Sequence, residues 1–375
     1  MKITRIETFQ APEFAHILWV RVHTDEGQIG LGESYLYPGP VRAVINEHFA
    51  PDFLIGNDPL QIDLLWRNMF SRSGFGGWSG AEIRAMSAID IALWDILGQK
   101  VGEPIYQLLG GAYRDSLPVY NTSGPFGDFD FNENADEYAL YLYDLGITKM
   151  KIWPFDSFGQ KTNGQYISPT DLKLALEPVR KIRDALGDKM DLAMEFHGYW
   201  SVDAAVKIAQ ALEEYDVMWL EELLQPDNMD ALEQLSRATT LPLVISERLL
   251  TRYQFLPVMQ RGIARIINPD VEWCGGISET KKIATLAETF QLPIACHNYG
   301  GPVLNFASAH ISANIPNMML LETGHNLLLQ WTPDIITNPV VIEDGHMALP
   351  EGPGLGMALQ EDFLNRPDMV RTVVE

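Results

Sequence analysis

Three glutamates set at one interval constrain this chain more than any other feature. Glu195, Glu221 and Glu247 stand 26 residues apart both times, and each closes a short apolar run, in DLAMEFHG, VMWLEE and PLVISE. A strand, a turn, a helix and a return loop consume about that many residues in a βα-barrel, whose eight units take ~250 residues. The interval therefore predicts three carboxylates at the carboxyl ends of successive parallel strands, side by side at one rim. Without a counter-charge they would repel one another and resist joint ionisation. A divalent cation removes the conflict, and Mg²⁺ takes carboxylate oxygens while keeping positions open for a substrate. One acid at a strand end is usually a helix cap or half of a loop ion pair; a regular set of three is a stronger signal.

With 375 residues, a barrel leaves room for a second, smaller domain. A composition of 46% hydrophobic and 21% charged residues is that of a folded protein with a sizeable core. Fifty acids against 27 bases give a formal charge of −23, which argues against nucleic acid or an anionic membrane as partner, since both demand basic surfaces. Cys274 and Cys296 are too few for a disulfide framework. The opening MKITRIETFQAPEF carries no apolar h-region, and no apolar run reaches the ~18 residues of a membrane helix, so a soluble cytoplasmic protein is expected.

Residues 1 to 60 alternate as strands do, with DEGQ as a turn, and then the period becomes helical: Ile89, Leu93, Ile96 and Leu97 recur at three and four. The glycine-rich stretch 71–80 reads as a lid or as a plain turn. From residue 116 strands and helices alternate, with strands expected at 117–121, 148–153, 189–197, 217–222, 242–247, 265–270, 293–298 and 318–323. Between them SVDAAVKIAQALEEYD buries Ala205, Ile208, Ala209 and Leu212 behind a Ser201 cap. Beyond Glu322 the pattern degrades, a hairpin is expected at Asp344-Gly345, and the tail reads as strands returning to the first domain. The division is 1–115, 116–330 and 331–375.

Active sites of barrels form at the carboxyl ends of the strands, so the last residues of each are candidate equipment. Lys149, Lys151 and Trp153 share one face of the second strand, and Glu195 and His197 one face of the third. Glu221, Glu247, Asp270, His297 and Glu322 follow. Asp270 and His297 end adjacent strands, where a carboxylate on one imidazole nitrogen leaves the other free to take a proton. The bland reading is a packed histidine beside a capping acid; a neighbouring cation site favours chemistry. Lysines at strand ends are ordinarily exposed, but two beside three carboxylates suit counter-charges or substrate clamps. Mg²⁺ prefers oxygen, so His197 is read as a proton donor rather than a ligand. His16, in a first-domain loop, is placed against the substrate.

AIDIALWDILGQKVGEPIYQLLGG, WLEE, ISE, NPD, ACHN and GPGLGMAL, in that order, resemble the enolase superfamily and, within it, the mandelate racemase group. The resemblance implies an α+β capping domain completed by the C-terminal tail and a modified (β/α)₇β barrel. It implies Mg²⁺ on Glu195, Glu221 and Glu247, and removal of a proton α to a carboxylate to give a metal-stabilised enediolate. His297 oriented by Asp270 is then the base, and Lys151 and Glu322 meet the substrate carboxylate and enolate oxygens. A homo-oligomer, dimer or octamer, is also implied.

Departures from the group pattern narrow the outcome. Counting from Gly146, Lys151 falls at the first lysine of Lys-x-Lys and Trp153 at the second, which removes the second base; a shift by two would restore it as Lys149 and Lys151. Glu195-Phe196-His197 is similar to the Asp-x-His of galactonate and mannonate dehydratases, with a glutamate one methylene longer. Leu223 stands where proline is usual, and the loop 153–170 is long enough for a lid. The implied reaction is dehydration of an aldonate or aldarate to a 2-keto-3-deoxy acid. A racemase, epimerase or lactone cycloisomerase, or a non-catalytic scaffold, stays open.

Overall fold

The computed structural model describes residues 1–75 and 79–375. Part of the glycine-rich stretch 71–80, read as a lid or turn, thus lies outside the described residues.

The alternating N-terminal segment forms an antiparallel meander of β1 (Ile3–Gln10), β2 (Ile17–Thr24) and β3 (Ile29–Tyr35). Its inner face carries Ile3, Ile6, Leu18, Val20 and Val22 onto the helices Ile62–Ser73 and Ala81–Val101. Ile89, Leu93 and Ile96 are buried as their spacing requires, while Leu97 is partly covered. Gly30 and Gly32 let the long helix lie against β3, because a Cβ on either would overlap the carbonyl oxygen of Ala92 or Ala88.

The second unit is a parallel sheet of β4 (Ser116–Thr122), β5 (Lys149–Ile152), β6 (Asp191–Glu195), β7 (Trp219–Glu221), β8 (Leu243–Ile245), β9 (Ile266–Ile267) and β10 (Leu321–Thr323). The path runs in chain order from β4 to β9. It continues through the bridges Ile267 to Ile294 and Ile294 to Met318, and β10 then pairs back to β4. The strand expected at 293–298 appears only as isolated bridges at Ile294 and His297. Pro269 and Pro293 have no N–H to give the ladder, which accounts for the interruption. Tyr120, Ala193, Trp219, Val244, Ile266, Ala295 and Leu320 fill the interior below the rim. The helix Val202–Leu212 buries Ala205, Ile208, Ala209 and Leu212 against the outside, and its N-cap Ser201 makes no side-chain hydrogen bond.

The tail divides rather than returning whole to the first sheet. β11 (Ile342–Glu343) and β12 (His346–Ala348) form the expected hairpin, with Asp344 and Gly345 at φ 48° and 70°, the left-handed pair of a tight two-residue turn. That hairpin pairs with β4 of the parallel sheet, and only β13 (Val370–Val374) reaches β1. The loop 153–170 is ordered around a short helix: it contains Asp156–Thr162, with Phe155 packed on Phe196 at 5.3 Å. No helix among the described residues is long and apolar enough to cross a membrane.

Candidate active site

Direct cross-strand pairing sets Glu195 of β6 opposite Glu221 of β7, while Glu247 lies two residues past the end of β8, in the turn. The Glu195 Oε1 atom accepts the N–H groups of Phe196 and His197 at 2.9 and 2.6 Å, which aims its other oxygen at the interior. Glu221 takes the Trp219 indole N–H at 2.9 Å and the Asn268 amide at 3.0 Å. Between the carboxylates stands Lys151, whose Nζ lies 2.7 Å from Glu221, 2.9 Å from Glu322 and 3.7 Å from Glu195. Glu322 is further held by the Thr122 hydroxyl and by the Asn298 N–H at 2.8 Å.

Burial raises a carboxyl pKa, and Glu195 goes up to about 7, with Lys151 opposing the rise and Glu247 adding to it. Glu221 and Glu222 are raised strongly for the same reason. At Glu322 the effect of burial is overcome by Lys151 and His297, which bring it down to about 2. Carboxyls therefore outnumber the cations that compensate them. The Glu247 Oε2 atom is buried and has no hydrogen-bond partner among the described residues. In this arrangement no three carboxylate, imidazole or thiolate side chains among the described residues are drawn together so that they could hold a metal ion, and the ammonium of Lys151 stands between the carboxylates instead. The donor chemistry nevertheless suits a hard divalent cation: an oxygen-only set, surplus negative charge and an unpartnered carboxylate oxygen.

Across the cavity, the Nδ1 atom of His297 meets Asp270 Oδ2 at 2.6 Å, and Asp270 also accepts the N–H groups of Glu272 and Trp273 at 2.7 and 3.1 Å. Burial disfavours the imidazolium, but Glu322, Asp270 and Glu247 outweigh it and push His297 up to about 9. Trp273 packs against His297 at 5.2 Å, and the Arg84 guanidinium from the first unit lies 4.1 Å above the same indole. The cavity encloses about 460 Å³ and is lined by Lys151, Trp153, Glu195, His197, Glu247, His297 and Glu322, with Tyr35, Arg84 and Arg248 among the rest.

Four candidates do not line the cavity: Glu221 and Asp270 lie behind it, bonded to Lys151 and His297, and two others stand apart. Lys149 starts β5 opposite Asp191, one pleat below Lys151, and its ammonium bonds Thr148 Oγ1 at 3.4 Å. It shares the face of Lys151 but not its height, because alternate residues lie ~6.6 Å apart along a strand. His16 is exposed on its loop, with its ring 6.5 Å from that of Tyr35, and does not line the cavity. Sequence reasoning missed Asn268, Arg248, Arg84 and Asp156. Asn268 was within reach, since it stands two residues before Asp270 on the same run. Asp156, which meets His197 Nδ1 at 2.6 Å, lies 41 residues away and carried no such signal.

Comparison with known proteins places the chain in a family. Residues 133–363 match the family model described as enolase C-terminal domain-like, and residues 6–110 match the mandelate racemase / muconate lactonizing enzyme N-terminal domain. The chain is 35% identical to a D-xylonate dehydratase of Haloferax volcanii, over 96% of this chain and 87% of that one. It is 33% identical to a D-galactonate dehydratase of Ralstonia nicotianae, over 96% and 93%. A crystal structure of an enolase of the mandelate racemase subgroup from Agrobacterium tumefaciens superposes with a TM-score of 0.92 at 43% identity, covering 100% of this chain and 99% of that one. By sequence and by fold, the chain belongs to the mandelate racemase group of the enolase superfamily.

Proposed function

We propose that this protein is a Mg²⁺-dependent dehydratase of a sugar acid, an aldonate or aldarate, which yields a 2-keto-3-deoxy acid. The observation that carries the reading is the His297–Asp270 pair facing Lys151 and Glu322 across a cavity walled by carboxylates. The names of the relatives, D-xylonate, D-gluconate and D-galactonate dehydratase, support the substrate class.

A proton α to a carboxylate is barely acidic, so its removal needs positive charge where the dianion develops. Mg²⁺ held by Glu195, Glu221 and Glu247 would supply that charge. Lys151 would contact the substrate carboxylate and the enolate oxygens, with Glu322 holding its ammonium in place at 2.9 Å. Asp270 keeps the Nδ1–H of His297, and the base is the imidazole that has lost its Nε2 proton, a loss favoured once a bound cation offsets Glu247; that Nε2 takes the C2 proton. Electrons of the resulting enediolate form the C2=C3 bond as the C3–O bond breaks. His197 gives a proton to the departing oxygen, water leaves, and the enol takes a proton at C3. Elimination is favoured over racemisation because a racemase needs a proton-transfer group on each face. Here the residue after Lys151 on that face is Trp153, and Lys149 lies below the cavity.

The test is to incubate aldonic and aldaric acids with enzyme and Mg²⁺ and to assay keto acid with semicarbazide. In D₂O the product should carry deuterium at C3, and His297→Asn should abolish turnover. A product without deuterium at C3 removes this scheme, and an isomer of unchanged mass favours racemisation.

A further inference from the structure

His197 and His297 line the same cavity, and each has its Nδ1 atom 2.6 Å from an aspartate, Asp156 for the first and Asp270 for the second. The first pairing is built from the loop between β5 and β6. Phe155 buries itself on Phe196 and sets Asp156 at the start of the helix Asp156–Thr162. From there the carboxylate reaches the His197 ring, which also lies 6.0 Å from that of Trp153. The histidine is fixed from three sides. Its N–H bonds Glu195 at 2.6 Å, its carbonyl accepts Arg248 Nη2 at 2.8 Å, and its ring is held by Asp156, on a backbone at φ 47°. A left-handed backbone at a residue other than glycine is unfavourable unless its surroundings impose it, and such positions cluster at functional sites. The other carboxylate oxygen of Asp156, Oδ1, is buried without a hydrogen-bond partner among the described residues, so His197 is the group this side chain serves.

We propose that Asp156 is a positioning residue that holds the Nδ1–H of His197 and so keeps the transferable proton on Nε2, facing the substrate. The assignment rests on the reading of His197 as the donor to the departing C3 hydroxyl. In that step the C3–O bond breaks, the electron pair of the enediolate forms C2=C3, and the Nε2 proton goes to the oxygen that leaves as water. Asp156 keeps the Nδ1 proton throughout. Proton removal at C2 belongs to the other dyad and does not require Asp156.

The experiment compares wild type, Asp156→Ala and Asp156→Glu with a sugar acid in D₂O, following keto-acid formation and deuterium exchange at C2 of recovered substrate. For Asp156→Ala, kcat for elimination should fall on the order of 10²-fold, with KM and C2 exchange within about threefold. Asp156→Glu should recover much of the loss. Elimination within about threefold of wild type overturns the proposal, as does an equal fall of exchange and elimination, which would mark a merely structural role. If wild type neither exchanges nor dehydrates any acid offered, the proposed function fails. The pairing is then decided by the imidazole ¹⁵N resonances of His197, which should shift in Asp156→Ala and overturn the assignment if unchanged.

Discussion

A buried ammonium is unstable without partners, and Lys151, 3% exposed, has them in Glu221 and Glu322. Burial acts to lower its pKa, but the surrounding carboxylates outweigh burial and hold it well above the usual lysine value. Removing the cation leaves those carboxylates facing one another. Lys151→Met should therefore cost about 3–5 kcal/mol of unfolding free energy in EDTA, read from urea titration, and added Mg²⁺ should restore more stability to the variant than it adds to wild type. An unchanged urea midpoint would show the carboxylates do not depend on this lysine. The period of two placed Lys149, Lys151 and Trp153 on one face from sequence, yet only Lys151 and Trp153 line the cavity. Face is a local property of a strand, whereas depth depends on where the neighbouring strand begins, here Asp191 beside Lys149.

At the scale of elements, the contact of β3 with the helix Ala81–Val101 was half legible. The spacing of Ile89, Leu93 and Ile96 gives the helix its buried face, whereas β3 is covered on both faces over residues 30–34. How closely the two approach is set by Gly30 and Gly32, whose hydrogens face helix carbonyls with no room for a methyl. Gly32→Ala should destabilise the protein by roughly 1–3 kcal/mol through overpacking, measured as a lower urea midpoint at unchanged slope; an unaltered midpoint would refute the close approach. The loop 153–170 divides similarly: its length is plain in the sequence, but its helix and Asp156 emerge only once Phe155 has Phe196 to pack on.

Across the whole molecule, one helix ties three regions together with buried acids. Asp95 accepts the N–H of Leu31 in β3 and of Leu355 in the tail, each at 2.9 Å, and Asp90 accepts that of Ser278 at 2.9 Å. Burial raises Asp90 to about 7 and Asp95 to about 6. An acid whose folded pKa exceeds its unfolded value binds its proton more tightly when folded. Its contribution is therefore fully present below about pH 4 and is lost as pH rises through the folded pKa. Asp90→Asn keeps an acceptor for Ser278 without the charge. Its stability relative to wild type should rise between about pH 4 and 7, by on the order of 4 kcal/mol, and then level off. A relative stability independent of pH would mean that Asp90 titrates normally. Nothing in AIDIALWDILGQ marks these acids out, because their partners lie 188 and 260 residues away.

The amino-acid sequence by itself determined the barrel's period, the three rim glutamates, the pairing of His297 with Asp270 and the Asp344-Gly345 hairpin. Each of these follows from a repeat length, an alternation or a turn preference that acts over a few residues or recurs unit by unit. Tertiary structure alone decided which lysine stands among the carboxylates, that Asp156 meets His197, and that the hairpin joins β4 while β13 joins β1. These are meetings of distant segments, fixed by packing and hydrogen bonding once the chain has closed on itself, and no local preference encodes them.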